Sequence, residues 1–120
     1  MMMQNQSAVA AYAMAGEAVR TDRSRERDAV ARVTRMLKEA RESGDRVETA
    51  KAVATQYRLW SMFFTDLSVP GNSLPEQLRK QLTTISAVVL QNADYKPGEE
   101  VDFEFHINVN EAIMEGLQGG

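Results

Sequence analysis

The sequence predicts an all-α fold, a small helical bundle of about four antiparallel helices, and three observations support this prediction. Strong helix formers are abundant in a chain that is 43% hydrophobic and 26% charged, with only seven glycines and three prolines. Apolar residues recur at helical spacing in several segments, and short breaks rich in Gly, Pro and Asp separate them. A length of 120 residues suits one domain. We predict a mobile or weakly helical N-terminal arm over residues 1–20 and a single helical bundle domain over residues 21–120.

The first helix is predicted to run from Ser24 to about Ser43. Ser24 is a favourable N-cap, and Glu26 and Asp28 follow in the first turn, where carboxylates suit the helix dipole. Gly44 supplies the residue that commonly ends a helix. The apolar stripe at helical spacing consists of Val30, Val33, Leu37 and Ala40.

A second helix is predicted to follow immediately and to run to about Leu67. Asp45 stands at its N-cap and Glu48 three residues later, which is a capping-box arrangement. A connection this short joins the first two helices as an antiparallel hairpin. The segment 68–72 contains Pro and Gly and breaks the helix.

The third helix has a clear start signal. Ser73 is predicted to cap it, with Pro75 in the first turn and Glu76 at the third helical position. The helix is predicted to extend to about Ala93. Its apolar stripe consists of Leu78, Leu82, Ile85 and Val89.

The last segment fits two patterns. Apolar and polar residues alternate over residues 101–110, which is the period of a strand. A helical stripe fits the same region, formed by Phe103, Ile107, Ile113, Met114 and Leu117. A strand needs a partner, and no other segment has a strand pattern. We therefore predict a fourth helix from about 102 to 117, and the strand alternative stays open.

The composition argues against catalysis. The chain has no cysteine, which excludes disulfides and thiolate chemistry. His106 is the only histidine, and it lacks the neighbours that a metal site requires, so we expect it on the surface of an amphipathic helix. No phosphate-binding loop or nucleophile elbow is present. We predict that the protein is not an enzyme and uses no cofactor or metal.

The targeting and charge patterns predict a cytoplasmic protein that does not bind membranes, and they argue against nucleic-acid binding. The N-terminus lacks the basic and long apolar parts of a signal peptide, and no apolar run approaches the ~20 residues of a membrane span. Residues 20–46 hold nine basic and six acidic residues, and residues 94–120 hold one and seven. Because the two signs are interleaved in the basic region, a solvated helix face explains it better than a phosphate-binding surface. The acidic C-terminal segment can lie against this helix.

An unusually wide apolar face marks the end of the second helix. It is formed by Tyr57, Leu59, Trp60, Met62, Phe63, Phe64 and Leu67. At 100° per residue, these side chains sweep an arc of roughly 220°, whereas an outer helix of a bundle needs little more than about 100°. Either this helix is central and packed on several sides, which we favour, or part of the face is left for a protein partner.

An ordered series of residues resembles the FlaF family of flagellar biosynthesis regulators, found in flagellated alphaproteobacteria. The series is Arg58-Leu59-Trp60, Phe63, Leu74-Pro75, Leu78-Arg79, Ile107-Asn108, Asn110, Ile113, Gly116 and Leu117. The resemblance is clearest over residues 57–118. It implies a chaperone or regulator that binds flagellin and promotes its synthesis, secretion or assembly, with a second flagellar regulator as a further partner.

The wide apolar face supplies the predicted flagellin-contacting residues, which are Leu59, Trp60, Met62 and Phe63. Two other functions remain open. The protein could regulate flagellin expression after transcription, through RNA bound at residues 20–46 or as an adaptor to another regulatory protein. It could instead be a structural homodimer joined through its second helix.

Overall fold

The computed structural model describes residues 12–71 and 74–119, and it describes the side chains of residues 24–71 and 74–116. Within that part of the chain the ordered elements are four helices and no strand, which confirms the predicted all-α bundle. The helices are α1 (Tyr12–Ser43), α2 (Arg46–Ser68), α3 (Glu76–Asn92) and α4 (Phe103–Gly119).

Helix α1 begins earlier than predicted. It starts at Tyr12, so Ser24 lies inside the helix, and the prediction that Ser24 caps it is wrong. No proline interrupts the residues before Ser24, and a single glycine does not end a run of good helix formers. Residues 1–11 lie outside the described part of the chain, so the arm over residues 1–20 stays a prediction.

The turn between α1 and α2 follows the local sequence signals. Gly44 has a φ of +67°, in the left-handed region where glycine is favoured, and it ends α1 as predicted. Oδ1 of Asp45 accepts hydrogen bonds from the backbone N–H groups of Val47 at 2.7 Å and Glu48 at 3.0 Å. The N–H of Asp45 donates to Oγ of Ser43 at 3.1 Å, so Ser43 takes the part that a capping box assigns to Glu48.

Replacing Asp45 by alanine is expected to lower the free energy of unfolding by about 1 kcal/mol, since two backbone donors of α2 lose their acceptor. Urea unfolding followed by circular dichroism measures the loss. Asp45→Asn retains a side-chain oxygen and is the matched control, with an expected loss of a few tenths of a kcal/mol. Equal losses in both variants would show that the negative charge, and not the cap, stabilises the helix.

Helix α3 begins slightly later than predicted. Pro75 immediately precedes the helix instead of lying within its first turn, and its side chain makes no capping hydrogen bond. The predicted cap, Ser73, lies outside the described residues. The helix ends at Asn92, one residue before the predicted end.

The fourth predicted helix is confirmed, and the strand alternative for residues 101–110 is wrong. Helix α4 starts at Phe103 directly after Asp102, whose Oδ1 accepts a hydrogen bond from the N–H of Phe105 at 3.1 Å. A carboxylate at this position satisfies a free backbone donor and suits the positive end of the helix dipole.

The helices pack around an apolar core in which α2 is central. Helix α1 packs against α4 and α2, and α2 packs against α3. The predicted stripe of α1 is fully buried, which confirms it. The core residues contributed by the other helices are Ala52, Leu59, Trp60, Val89 and Ile107.

Two ion pairs join α1 to α4 and establish their antiparallel direction. Nζ of Lys38 lies 2.9 Å from Glu111, and Nη1 of Arg41 lies 2.7 Å from Glu104. The acidic C-terminal segment therefore lies against the basic first helix, as the charge pattern indicates. Both pairs are solvent-exposed, so each contributes at most about 1 kcal/mol.

Candidate protein-binding surface

A buried polar network links the centre of α2 to α4. Its four side chains, Gln56, Trp60, His106 and Asn110, are at most 1% exposed. Nε1 of Trp60 donates to Oδ1 of Asn110 at 2.9 Å. The two amides pair with each other: Nδ2 of Asn110 donates to Oε1 of Gln56 at 2.9 Å, and Nε2 of Gln56 donates back to Oδ1 of Asn110 at 3.1 Å.

The hydrogen bonds of the network can be assigned in only one direction, because the group at one end can only donate and the group at the other end can only accept. The indole of Trp60 only donates, so it requires the oxygen of Asn110, and this in turn orients the amide of Gln56. The second hydrogen on Nε2 of Gln56 points to Nδ1 of His106 at 3.2 Å. The other end is the backbone carbonyl of Asn92, which only accepts and lies 3.4 Å from Nε2 of His106. His106 is therefore the neutral tautomer with its hydrogen on Nε2.

The expectation that His106 lies on a helix surface is wrong, because its side chain is completely buried. Burial lowers the pKa of His106 below its ordinary value of 6.5. The Asn92 carbonyl and the Asp102 carboxylate favour the charged form, but they only partly offset the desolvation.

The network holds α2 and α4 in a single register. Gln56 and Trp60 are one turn apart on α2, and His106 and Asn110 are one turn apart on α4, so the two pairs meet only when the helices run parallel at this level. A buried network with every member bonded favours one packing over the alternatives. Sequence reasoning missed it, although the two matching i,i+4 polar pairs were a usable signal.

The predicted flagellin-contacting residues occupy three different environments. Leu59 and Trp60 are buried in the core. Phe63 is half-buried and packs edge-on against Trp60, with ring centroids 5.3 Å apart. Met62 is 65% exposed. Central packing thus explains most of the wide apolar face of α2, and flagellin contact by these four residues stays a prediction.

Helix α3 leaves much of its predicted apolar stripe uncovered. Val89 is fully buried against the core, but Leu78 and Ile85 are 41% and 37% exposed, and the neighbouring Val88 is 40% exposed. The reason is that α3 packs closely against α2 alone among the described helices. Across from α3, the α4 side chains of Val109 and Ile113 are only partly buried. Exposed apolar side chains grouped on one helix are typical of protein-binding surfaces.

Comparison with known proteins places this architecture in a family. A family model described as flagellar protein FlaF matches residues 8–117, which include all four helices except the last two residues of α4. The chain belongs to the FlaF family. No curated protein and no solved structure gives a significant match.

Family membership accounts for the order of residues noted in the sequence. Within this FlaF-family fold, four residues of the series lie in the core or in the polar network, namely Leu59, Trp60, Ile107 and Asn110. Their roles inside the fold explain why these residue types occur there, so no contact with another protein is needed to explain them. Leu78 differs, since it belongs to the same series and yet is exposed.

A second concavity of the FlaF-family fold lies between α2 and the segment after α3. It is an open cleft of about 410 Å³, whose wall includes Tyr57, Arg58, Tyr95 and Pro97. Its lining is mostly apolar and includes one basic and one acidic residue, Arg58 and Asp94. No helix among the described residues has the length and apolar character needed to cross a bilayer, and those residues contain no acidic, His or Cys cluster fit for a metal ion.

Proposed function

We propose that this FlaF-family protein binds flagellin and acts as a chaperone or regulator that promotes flagellin synthesis, secretion or assembly. Family membership supplies the flagellar context. The observation that carries the binding role is the group of exposed apolar side chains along α3, which are Leu78, Ile85 and Val88. Exposing such side chains to water costs free energy that a protein partner recovers on binding.

The physical basis of a chaperone role is protection of another apolar surface. A subunit that polymerises through amphipathic helices aggregates if those helices are free in the cell. A helical bundle with an apolar groove covers such a helix and leaves its backbone hydrogen bonds intact. We propose that the protein acts by binding alone, without catalysis, cofactor or metal. The buried polar side chains of the α2–α4 network fit this role, because their hydrogen-bonding groups are already bonded to one another within the fold.

Isothermal titration of the purified protein with monomeric flagellin from its own organism, at physiological salt, tests the proposal. We expect one-to-one binding with a Kd near micromolar or tighter, which corresponds to about −8 kcal/mol or more. The absence of both heat and a complex on a sizing column would refute flagellin binding.

The alternative of a regulator that acts through RNA has less support. Two cations of the basic first helix, Lys38 and Arg41, are held in ion pairs with acidic residues of α4. Phosphate contacts would have to compete with these pairs. A gel shift with flagellin messenger RNA at low salt is expected to show no complex, and salt-sensitive binding there would revive the alternative.

A further inference from the structure

We propose that the open seam between α3 and α4 receives an amphipathic helix of the flagellin partner. We call this surface the α3–α4 seam and define its walls by Leu78 and Ile85 on α3 and by Val109 and Ile113 on α4. The inference rests on the proposed function and names both the site on this chain and the class of segment that occupies it.

The seam follows from the packing order of the helices. Ion pairs hold α4 against α1, and α3 packs against α2. A hydrogen bond brings α3 and α4 together at one end, between the Asn92 carbonyl and Nε2 of His106 at 3.4 Å. Away from this contact, Leu78 and Ile85 on α3 stay exposed, and Val109 and Ile113 on α4 are only partly buried. Apolar side chains that are incompletely covered on two neighbouring helices leave apolar surface for a partner.

The two walls present apolar side chains at matching levels. Helix α3 runs antiparallel to α4, since α4 is antiparallel to α1 and each hairpin reverses the direction. Counting seven residues back from Asn92 and seven forward from His106 places Ile85 opposite Ile113. Three residues from the contact, Val89 lies level with Val109. The exposed Ile85 therefore lies level with the half-buried Ile113 on the other wall of the seam.

The geometry selects a helix as the occupant. Leu78 and Ile85 are seven residues apart, which is about 10.5 Å along the helix axis and equals two turns of a partner helix. Both walls are helices whose backbone groups are already bonded internally, so an extended peptide finds no edge with which to pair. A partner that satisfies its own backbone hydrogen bonds and presents an apolar stripe fits this surface.

The charge pattern restricts the occupant further. On the α3 rim, Gln77 and Gln81 precede Ile85 by two turns and one turn, and on the α4 rim Ala112 and Gly116 are exposed. These flanking residues are all uncharged. The α4 carboxylates Glu104 and Glu111 are paired with α1, away from the seam. An uncharged rim complements a helix whose apolar stripe is flanked by uncharged residues, and binding should be nearly independent of salt.

Met62 is the natural comparison. It is more exposed than Ile85, yet its surface neighbours are Ser61, Thr65 and Asp66. A single exposed apolar residue among polar ones is normal for a protein surface, and the shallow concavity beside Met62 is lined otherwise by polar residues. Met62 and Ile85 therefore form a matched pair for a binding test, because both are exposed apolar residues inside helices.

The test is calorimetry of flagellin against three proteins, namely wild type, Ile85→Lys and Met62→Lys, at low and at high salt. We expect at least a tenfold loss of affinity for Ile85→Lys, wild-type affinity for Met62→Lys, and less than a threefold change with salt. Loss in Met62→Lys with retention in Ile85→Lys would overturn the seam and support the end of α2. No binding by wild type would refute the proposed function itself, and the seam proposal with it.

A second measurement guards against misfolding of Ile85→Lys. Because the chain has no cysteine, Gln81→Cys and Thr65→Cys each carry one unique attachment point for a photo-crosslinker, and both positions are exposed. We expect flagellin to crosslink through residue 81 and not through residue 65. Crosslinking through residue 65 alone would overturn the seam even if the Ile85 variant proved unstable.

Discussion

Replacing Asn110 by alanine is expected to destabilise the protein by about 3–5 kcal/mol. The Asn110 amide bonds the indole N–H of Trp60 and both the oxygen and the nitrogen of the Gln56 amide. Alanine leaves the indole N–H and the Gln56 oxygen without a partner and removes one of the two hydrogen bonds of Nε2 of Gln56, and each unsatisfied group costs about 1–3 kcal/mol when water cannot reach it. Urea unfolding followed by tryptophan fluorescence measures the loss and also reports on Trp60 directly, because Trp60 is the only tryptophan.

Asn108→Ala is the matched control for this prediction. Asn108 lies on the same helix but is exposed, so its removal should change the free energy of unfolding by no more than about 0.5 kcal/mol. If Asn110→Ala costs as little as the control, the network does not contribute to stability, and register must come from apolar packing alone.

Acidification from pH 7.5 to 5.5 is expected to destabilise the protein through His106, with a slope of up to about 1.4 kcal/mol per pH unit. The folded protein holds His106 neutral, and burial lowers its pKa below the ordinary 6.5. The unfolded chain therefore binds a proton first as the pH falls. The stability contributed by neutral His106 is complete above pH 6.5 and is lost as the pH falls towards the folded-state pKa.

The hydrogen bonds of the network explain why protonation of His106 is unfavourable in the folded protein. A protonated Nδ1 of His106 would point its hydrogen at Nε2 of Gln56, which is itself a donor. Rotating the Gln56 amide would remove the acceptor of Asn110, and Asn110 cannot rotate because Trp60 only donates. The groups that face His106 are thus neutral, except the nearby carboxylate of Asp102.

Thermal unfolding at half-unit pH steps, for wild type and His106→Gln, measures this effect. His106 is the only histidine, so the variant should lose most of the slope between pH 6.5 and 5.5, where unperturbed carboxylates are still ionised. An unchanged slope in His106→Gln would assign the pH dependence to other groups.

Local signals in the sequence were sufficient for the helix boundaries they control. Gly44 and Asp45 end α1 and begin α2 as predicted, because a left-handed residue and a capping carboxylate act within one turn of chain. The start of α1 was missed, since Ser24 resembles a cap but nothing before it breaks the helix.

The strand-like alternation of residues 101–110 results from contacts between parts of the chain that are distant in sequence. His106 and Asn110 are polar residues in the buried stripe of α4, and they interrupt the helical apolar pattern. Their burial is possible only because Gln56 and Trp60, 50 or more residues earlier, supply matching hydrogen bonds. No window of local sequence contains both halves of the network.

The sequence by itself determined that this chain is all-helical, where most of its breaks lie, that α1 buries one stripe, and that it belongs among flagellar proteins. These properties depend on residues within a few turns of one another or on residue order along the chain. Only the tertiary structure decided which apolar residues are core and which are surface. Most of the wide apolar face of α2 is buried or half-buried because helices lie on several sides of it, whereas the stripe of α3 stays partly exposed because α3 packs closely against α2 alone. Burial depends on how many neighbours a helix receives, and that number is a property of the assembled bundle.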